Sequence, residues 1–207
     1  MTLIIVAITA IISILAFNRE GLFYKLMMNP YQVHHRKEYY RLFTHGFLHA
    51  DWVHLIINML VLFSFGSAVE RYFGSLESNG MIQNSSLMFL VLYLSGIIIS
   101  SLSTQFKHKD NPQYNSVGAS GAVSAVLFTS IFFAPFQKVL FYAVIPIPGI
   151  IFGVLYLVYS QYMTRKNSDN INHDAHFVGA VYGLIFPILL EPSLFSRFIN
   201  EIMSFNF

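Results

Sequence analysis

Six stretches of this chain are almost wholly apolar, and the polar and charged residues gather between them instead of alternating within them. They run from Thr2 to Phe17, His54 to Val69, Ser86 to Ser103, Val117 to Phe136, Pro148 to Met163 and Ala175 to Leu190. A helix apolar on every side belongs in a core or in lipid. Crossing about 30 Å of hydrocarbon takes about 20 residues. The pattern therefore predicts six transmembrane helices, several short enough to require tilt or local thinning of the bilayer. The fifth starts at Pro148, because Pro146 and Pro148 would interrupt a helix begun in the apolar run from Val139, whereas proline suits a first turn. Asn18 to Asp51 is a long amphipathic connection, Glu70 to Asn84 is rich in Gly, Ser and Asn, and Gln105 to Asn115 and Thr164 to Asp174 are charged. Leu3 to Phe17 has neither a basic leader nor a small-residue cleavage site and reads as a retained first helix.

Composition agrees with this. Hydrophobic residues make up 55% and charged residues 11% of the 207 residues, and mean hydropathy is +0.57; soluble domains carry about 25% charge. The chain reads as an all-α membrane protein with a single domain over residues 1–207. Its net charge of +2 is scattered through short connections and gives no footing for nucleic acid. The absence of cysteine excludes disulfides, thiolate nucleophiles and cysteine zinc sites.

Six antiparallel spans put the starts of the second, fourth and sixth on one side of the membrane. Those starts carry His54 and Asn58, then Ser120, then His176. Polar groups at membrane depth face a protein interior or a water-filled cavity and are functional candidates. A serine hydroxyl becomes a nucleophile when a base takes its proton, and histidine is the usual base. Gly118, Gly121, Gly179 and Gly183 remove side-chain bulk, so two helices can approach until hydroxyl and imidazole touch. Asn58 and His54 share a helix face at i and i+4. With the Ser120 amide they can supply donors to an oxyanion. No Asp or Glu lies inside a predicted span to orient His176, so a dyad is expected and not a triad, with no cofactor.

Other readings stay open at this point. The glycines can serve packing alone, with Ser120 bonded to a backbone carbonyl, and Asn58 can be helix-to-helix glue. His45, His49, His54, His173 and His176, with Asp51 or Asp174, could hold zinc, although no HExxH motif occurs. A catalytically silent binder of membrane proteins is a third class. His34, His35 and His108 lie in polar connections and are expected to face water; Met27, Met28 and the many phenylalanines are expected to pack or face lipid.

The run from Tyr40 through Arg41, His45, Gly46, His49, Asp51, Trp52, His54 and Asn58 to Leu60 resembles the first-loop and second-helix signature of the rhomboid intramembrane serine proteases. Glu70 and Gly74 follow where that family has Glu and Gly. Gly118-Ala119-Ser120-Gly121 matches its GxSG, and Ala175-His176 with Gly179 and Gly183 matches its histidine helix. Ile145-Pro146-Ile147-Pro148 also fits. The resemblance implies a six-helix rhomboid-like bundle with a partly membrane-embedded first loop, suiting the segment from Phe23 to Phe47. It implies Ser120 as nucleophile, His176 as base, and His54, Asn58 and the Ser120 amide as the oxyanion hole. Glu70, Arg41, His45 and His49 would be structural. The fifth helix and the connection from Thr164 to Asp174 would form a gate.

Two departures stand out. Tyr40-Arg41 replaces a usual Trp-Arg. The aromatic commonly found four residues after the serine, where it stacks on the histidine, is Ser124 here. Orientation of His176 is then expected from a Ser124 hydroxyl bond or from packing by Tyr182, with slow turnover that Ser124→Tyr should raise. The implied partners are transmembrane protein substrates and the lipid bilayer; sequence does not fix the oligomeric state. Nine Lys and Arg in loops one, three and five (Arg19, Lys25, Arg36, Lys37, Arg41, Lys107, Lys109, Arg165, Lys166) face three on the other side (Arg71, Lys138, Arg197). That bias would place the site on the cytoplasmic face. The resemblance implies the opposite, a cytoplasmic N-terminus in the cell membrane with the site opening outward, and this is the expectation adopted.

Overall fold

The computed structural model of the chain describes residues 1–141, 144–166, 169 and 171–204. The first apolar stretch forms α1 (Thr2–Phe17), with the bounds that hydropathy predicts. The amphipathic connection then folds into α2 (Glu20–Leu26), α3 (Pro30–Arg36), α4 (Arg41–Thr44) and a 3-10 turn, His45–Phe47. Local chemistry punctuates it. The Asn29 side chain accepts from the Gln32 amide at the start of α3, where Pro30 follows, and Lys37 ends that helix in the left-handed region at φ 60°.

Next come α5 (Trp52–Ser78), capped by Asp51, and α6 (Ser85–His108), capped by Asn84. The former runs on past Val69, because nothing in Glu70 to Ser78 breaks a helix. Then come α7 (Ser120–Phe133), a hairpin of β1 (Lys138–Phe141) and β2 (Ile145–Pro148), α8 (Gly149–Lys166), α9 (His173–Leu190) and α10 (Ser193–Ser204). Three of these, α5, α6 and α9, are long and apolar enough to cross a membrane, while α1 and α7 are shorter apolar helices. The protein is an all-α membrane protein in its architecture, with two departures from the expected elements. The prolines that exclude helix before Gly149 leave an antiparallel ribbon, with Leu140 opposite Pro146 and Lys138 opposite Pro148. Beyond the last apolar stretch, α10 is amphipathic: it buries Leu194 and stacks Phe198 on Phe132 at 4.8 Å. Of the connection from Thr164 to Asp174, Asn167, Ser168 and Asn170 lie outside the described residues.

The shortest of the apolar helices is the central one. Every residue of α7 from Gly121 to Phe132 is buried, and α5, α6 and α9 pack around it. It starts at Ser120, later than the expected Val117, because Gly118 has φ 128°, which ends the preceding segment in a conformation no helix contains. Its contact with α9 is made by backbone. A Cβ on Gly179 would overlap the Gly121 carbonyl oxygen, and one on Gly183 would overlap that of Ala125. Gly74, by contrast, has nothing within 4 Å of where a Cβ would lie.

A Gly183→Val variant must therefore push α9 off α7. Overpacking of this kind costs about 1–3 kcal/mol, and thermal unfolding in detergent should show the loss. Gly74→Ala, in an open helix position, should instead stabilise by about 0.5–1 kcal/mol.

Candidate active site

The contact of α7 with α9 sets the site. Ser120 is the first residue of α7, immediately before Gly121, and His176 lies one turn before Gly179 on α9. Since Gly121 and Gly179 touch through their backbones, the serine and the histidine stand beside the same crossing. Both are half-buried. Among the described residues no hydrogen bond joins them, which is common in resting sites whose bonds tighten around a ligand.

Each side of the crossing is braced. Asn172 caps α9: its Oδ1 accepts from the Ala175 amide at 3.1 Å, and its Nδ2 donates to Thr104 Oγ1 on α6 at 2.8 Å. Lys107 of α6 reaches Asp174 at 3.1 Å. On the serine side, Met28 and Ser116 exchange two backbone bonds of 3.0 Å, so the connection leading into Ser120 is zipped to the first loop. The Gly118 amide donates to the His45 carbonyl at 3.1 Å.

The start of α7 differs from those of α5 and α9, which flank it. The first amides of a helix lack internal partners, and a buried helix end without a cap is unusual. Side chains cap α3, α5, α6 and α9, but no side chain caps α7. Its unshared amides, beginning with that of Ser120, therefore point to where a ligand oxygen can lie, at the positive end of the helix. His54 borders the same place. A Cβ on Gly118 would stand 2.8 Å from His54 Cε1, 3.1 Å from its Nε2 and 3.7 Å from Ser120 Oγ, so only glycine admits the ring. The Ala50 amide donates to His54 Nδ1 at 3.3 Å. This bond assigns the ring proton to Nε2, the nitrogen nearest Gly118. Asn58 is buried and donates from Nδ2 to the His54 carbonyl at 2.9 Å, one turn back on its own helix.

A matching family model, described as the Rhomboid domain, covers residues 36–193. The chain belongs to the rhomboid family. Similar proteins include RHOMBOID-like protein 12, mitochondrial, of Arabidopsis thaliana, 27% identical over 159 residues that make up 70% of this chain and 44% of that protein. Rhomboid protease GluP of Bacillus subtilis (strain 168) is 30% identical over 145 residues, 70% of this chain and 25% of that protein. Putative rhomboid protease YdcA of the same organism is 30% identical over 155 residues, 73% of this chain and 67% of that protein. The match thus spans less than half the length of the first two relatives. As a rhomboid, the chain is an integral membrane protein from a family that includes proteins named proteases.

The remaining predicted residues are spread over the rhomboid scaffold. Arg41 is buried and donates from Nε to Glu38 at 2.6 Å and from Nη1 to the carbonyls of Tyr24 at 2.9 Å and Met27 at 2.8 Å, tying α4 to the end of α2. His49 is fully enclosed and meets Ser13 Oγ at 2.9 Å, while the same hydroxyl donates to the Phe47 carbonyl, so α1 holds the first loop. Glu70 accepts from the Thr2 amide at 3.1 Å and pairs with the Met1 amino group, at the head of α1.

The five histidines considered for zinc are not gathered into one ligand set. Asp51 caps α5, Asp174 pairs with Lys107, and His173 pairs with Asp169. Among the described residues, the ligand atoms that lie close together belong to exposed His34, His35 and Asp110, outside the predicted set.

The two residues expected to orient His176 are engaged elsewhere. Tyr182 hydrogen-bonds Ser95 and packs on Phe186. The Ser124 hydroxyl meets Tyr156 Oη on α8 at 2.6 Å. It is the Tyr156 ring that lies along His176, with centroids 6.3 Å apart and planes 26° apart. A tyrosine at position 124 would collide with Tyr156, so the single Ser124→Tyr variant has no room to help. Sequence reading also missed Asn172, although Asn before His-Asp-Ala-His is an N-cap pattern. Nothing in the sequence pointed to Tyr156, because pairing across two separate spans leaves no spacing to read.

The Arg41 guanidinium, by hydrogen bonding, holds the Glu38 carboxyl below its ordinary value of 4.5. A lowered folded value contributes stability above the ordinary carboxylate range, and that stability is lost as pH falls through the lowered one. Acid titration of unfolding in detergent should show this loss below pH 4.5 in the wild type, and Glu38→Gln should be less stable at neutral pH and remove that part of the pH dependence.

Proposed function

We propose that this rhomboid is an intramembrane serine endopeptidase that cleaves transmembrane proteins at or near the bilayer edge. Ser120 acts as nucleophile and His176 as general base. The observation that carries the reading is the start of α7, which no side chain caps and where the Cβ position of Gly118 lies 3.1 Å from His54 Nε2 and 3.7 Å from Ser120 Oγ, with His176 beside the same helix crossing. A hydroxyl, a base and preorganised donors around one position are what acyl transfer needs.

In the reaction, His176 takes the Ser120 proton as Oγ attacks the peptide carbonyl. The oxygen that gains charge is received by the Ser120 amide and the His54 Nε2 proton. Asn58 can add a donor by turning its amide from the His54 carbonyl, one turn away. His176 then gives its proton to the leaving amine, and water repeats the sequence on the acyl-enzyme. A substrate helix must unwind first, since its carbonyls are already bonded in the ladder, so small, weakly helical residues near the cut are favoured. In the cell membrane the N-terminus is cytoplasmic and the site opens outward, with six spans counted when the shorter helices α1 and α7 and the less apolar α8 are included.

The test is covalent labelling of the detergent-solubilised protein with a fluorophosphonate probe. Wild type should label, and Ser120→Ala and His176→Ala should not, with chelator having no effect. A folded wild type that fails to label would favour a silent binder of membrane clients; peptide hydrolysis abolished by chelator would favour the zinc reading.

A further inference from the structure

We infer that Tyr156 is the positioning residue for His176, an aromatic wall supplied by α8 and moored to α7 through Ser124. The inference rests on the Ser120–His176 reading and says what aligns the base. Among the described residues, no carboxylate or amide hydrogen-bonds the His176 ring. Rotation about the bond to an imidazole is broad and soft. What confines the ring is therefore its flat neighbours. Tyr156 lies at 6.3 Å and 26°, within the range where rings attract, and His173 meets it edge-on at 5.8 Å and 78°.

Tyr156 is itself held on several sides. Phe128 of α7 packs on it at 5.4 Å and Phe152 of α8 at 6.0 Å. Its hydroxyl meets Ser124, a buried residue one turn after Ser120 on the same helix. The tether thus references the wall to the helix that carries the nucleophile. A hydroxyl at position 124 acquires a purpose that its own reach to His176 does not provide: it leaves space for a ring arriving from another helix and bonds that ring at its tip.

The mooring matters because α8 is weakly embedded. Its buried residues are Gly149, Gly153 and Ser160, whereas Ile151, Val154, Leu155 and Val158 are exposed. Gly153 lets the helix approach Phe128, where a Cβ would already stand 3.3 Å from the ring. An outward shift of α8 would carry the wall with it and leave His176 without its alignment. The base is then set only when α8 is seated.

The experiment is saturation kinetics of fluorophosphonate labelling from pH 5 to 9 on the full chain, separating the maximal acylation rate from the half-saturating probe concentration. Tyr156→Ala should lower the maximal rate about tenfold or more, as small misplacements of a reacting group do. Half-saturation should be little changed, and the pH profile should shift because the freed imidazole sits in a new environment. Tyr156→Phe and Ser124→Ala should each give a smaller loss, and combining them should add little, since both remove the same bond. The double variant Tyr156→Ala with Ser124→Tyr, which rebuilds a ring from α7 in the vacated space, should recover much of the rate. A merely structural tyrosine would change the labelled fraction and the melting temperature without moving the pH profile of the protein that remains folded. Labelling that depends on Ser120 and His176 but is indifferent to Tyr156 in rate and pH profile overturns the positioning role alone. Wild type that does not label overturns the protease reading, and this inference with it.

Discussion

The structure depends on one backbone-to-backbone contact, where Gly179 and Gly183 of α9 lie against the carbonyls of Gly121 and Ala125 of α7. In lipid there is little hydrophobic force between helices, so association relies on close packing, and small residues allow the closest. Here the approach leaves no room for a side chain. It fixes the two helices in register, and the register determines which residues at their starts face each other. The polar pair inherits its geometry from residues that have no chemistry of their own.

Around that contact, side chains close four of the helix starts. Asn29, Asp51, Asn84 and Asn172 close helix starts, and Arg41 answers the carbonyls at the end of α2. The start of α7 is left open. Gly118 takes up the unusual backbone there and admits the His54 ring. The first loop is a brace as much as a connection: its carbonyl at His45 and its strand-like pairing at Met28 hold the segment that delivers Ser120.

Much of this was legible in the sequence because membranes simplify the code. Apolar stretches located α5, α6 and α9, the described helices long and apolar enough to cross a membrane, and their alternating direction is what led to the expectation that His54, Asn58, Ser120 and His176 share one side. The ends were harder to read. Glu70 to Ser78 looks like a loop by composition, yet helix propagates through it because no proline or special turn stops it. The apolar run before Pro146 could be denied helix, but pairing with Ile145–Pro148 requires knowing that the chain doubles back. Leu194 and Phe198 belong to an amphipathic helix beyond the last apolar stretch, which a search for wholly apolar runs does not register. Asn172 was readable as a cap. Tyr156 was not, since a contact between spans depends on helix rotation, which periodicity does not give when most positions are apolar.

The brevity of α7 has a consequence for depth. Fourteen residues make a rod of about 21 Å, and the hydrocarbon layer is about 30 Å thick. On the proposed chemistry, exposed Lys138 just beyond one end is taken to mark one membrane surface. The other end, bearing Ser120, then stops about 9 Å beneath the opposite surface. Buried among its neighbours, the helix has no need to be longer, because its ends meet protein instead of lipid. On the proposed chemistry the protein is a depth gauge: a partner helix alongside it is read at a fixed distance from the surface, about six residues in, and the place of reaction is set by altitude before any side chain is recognised.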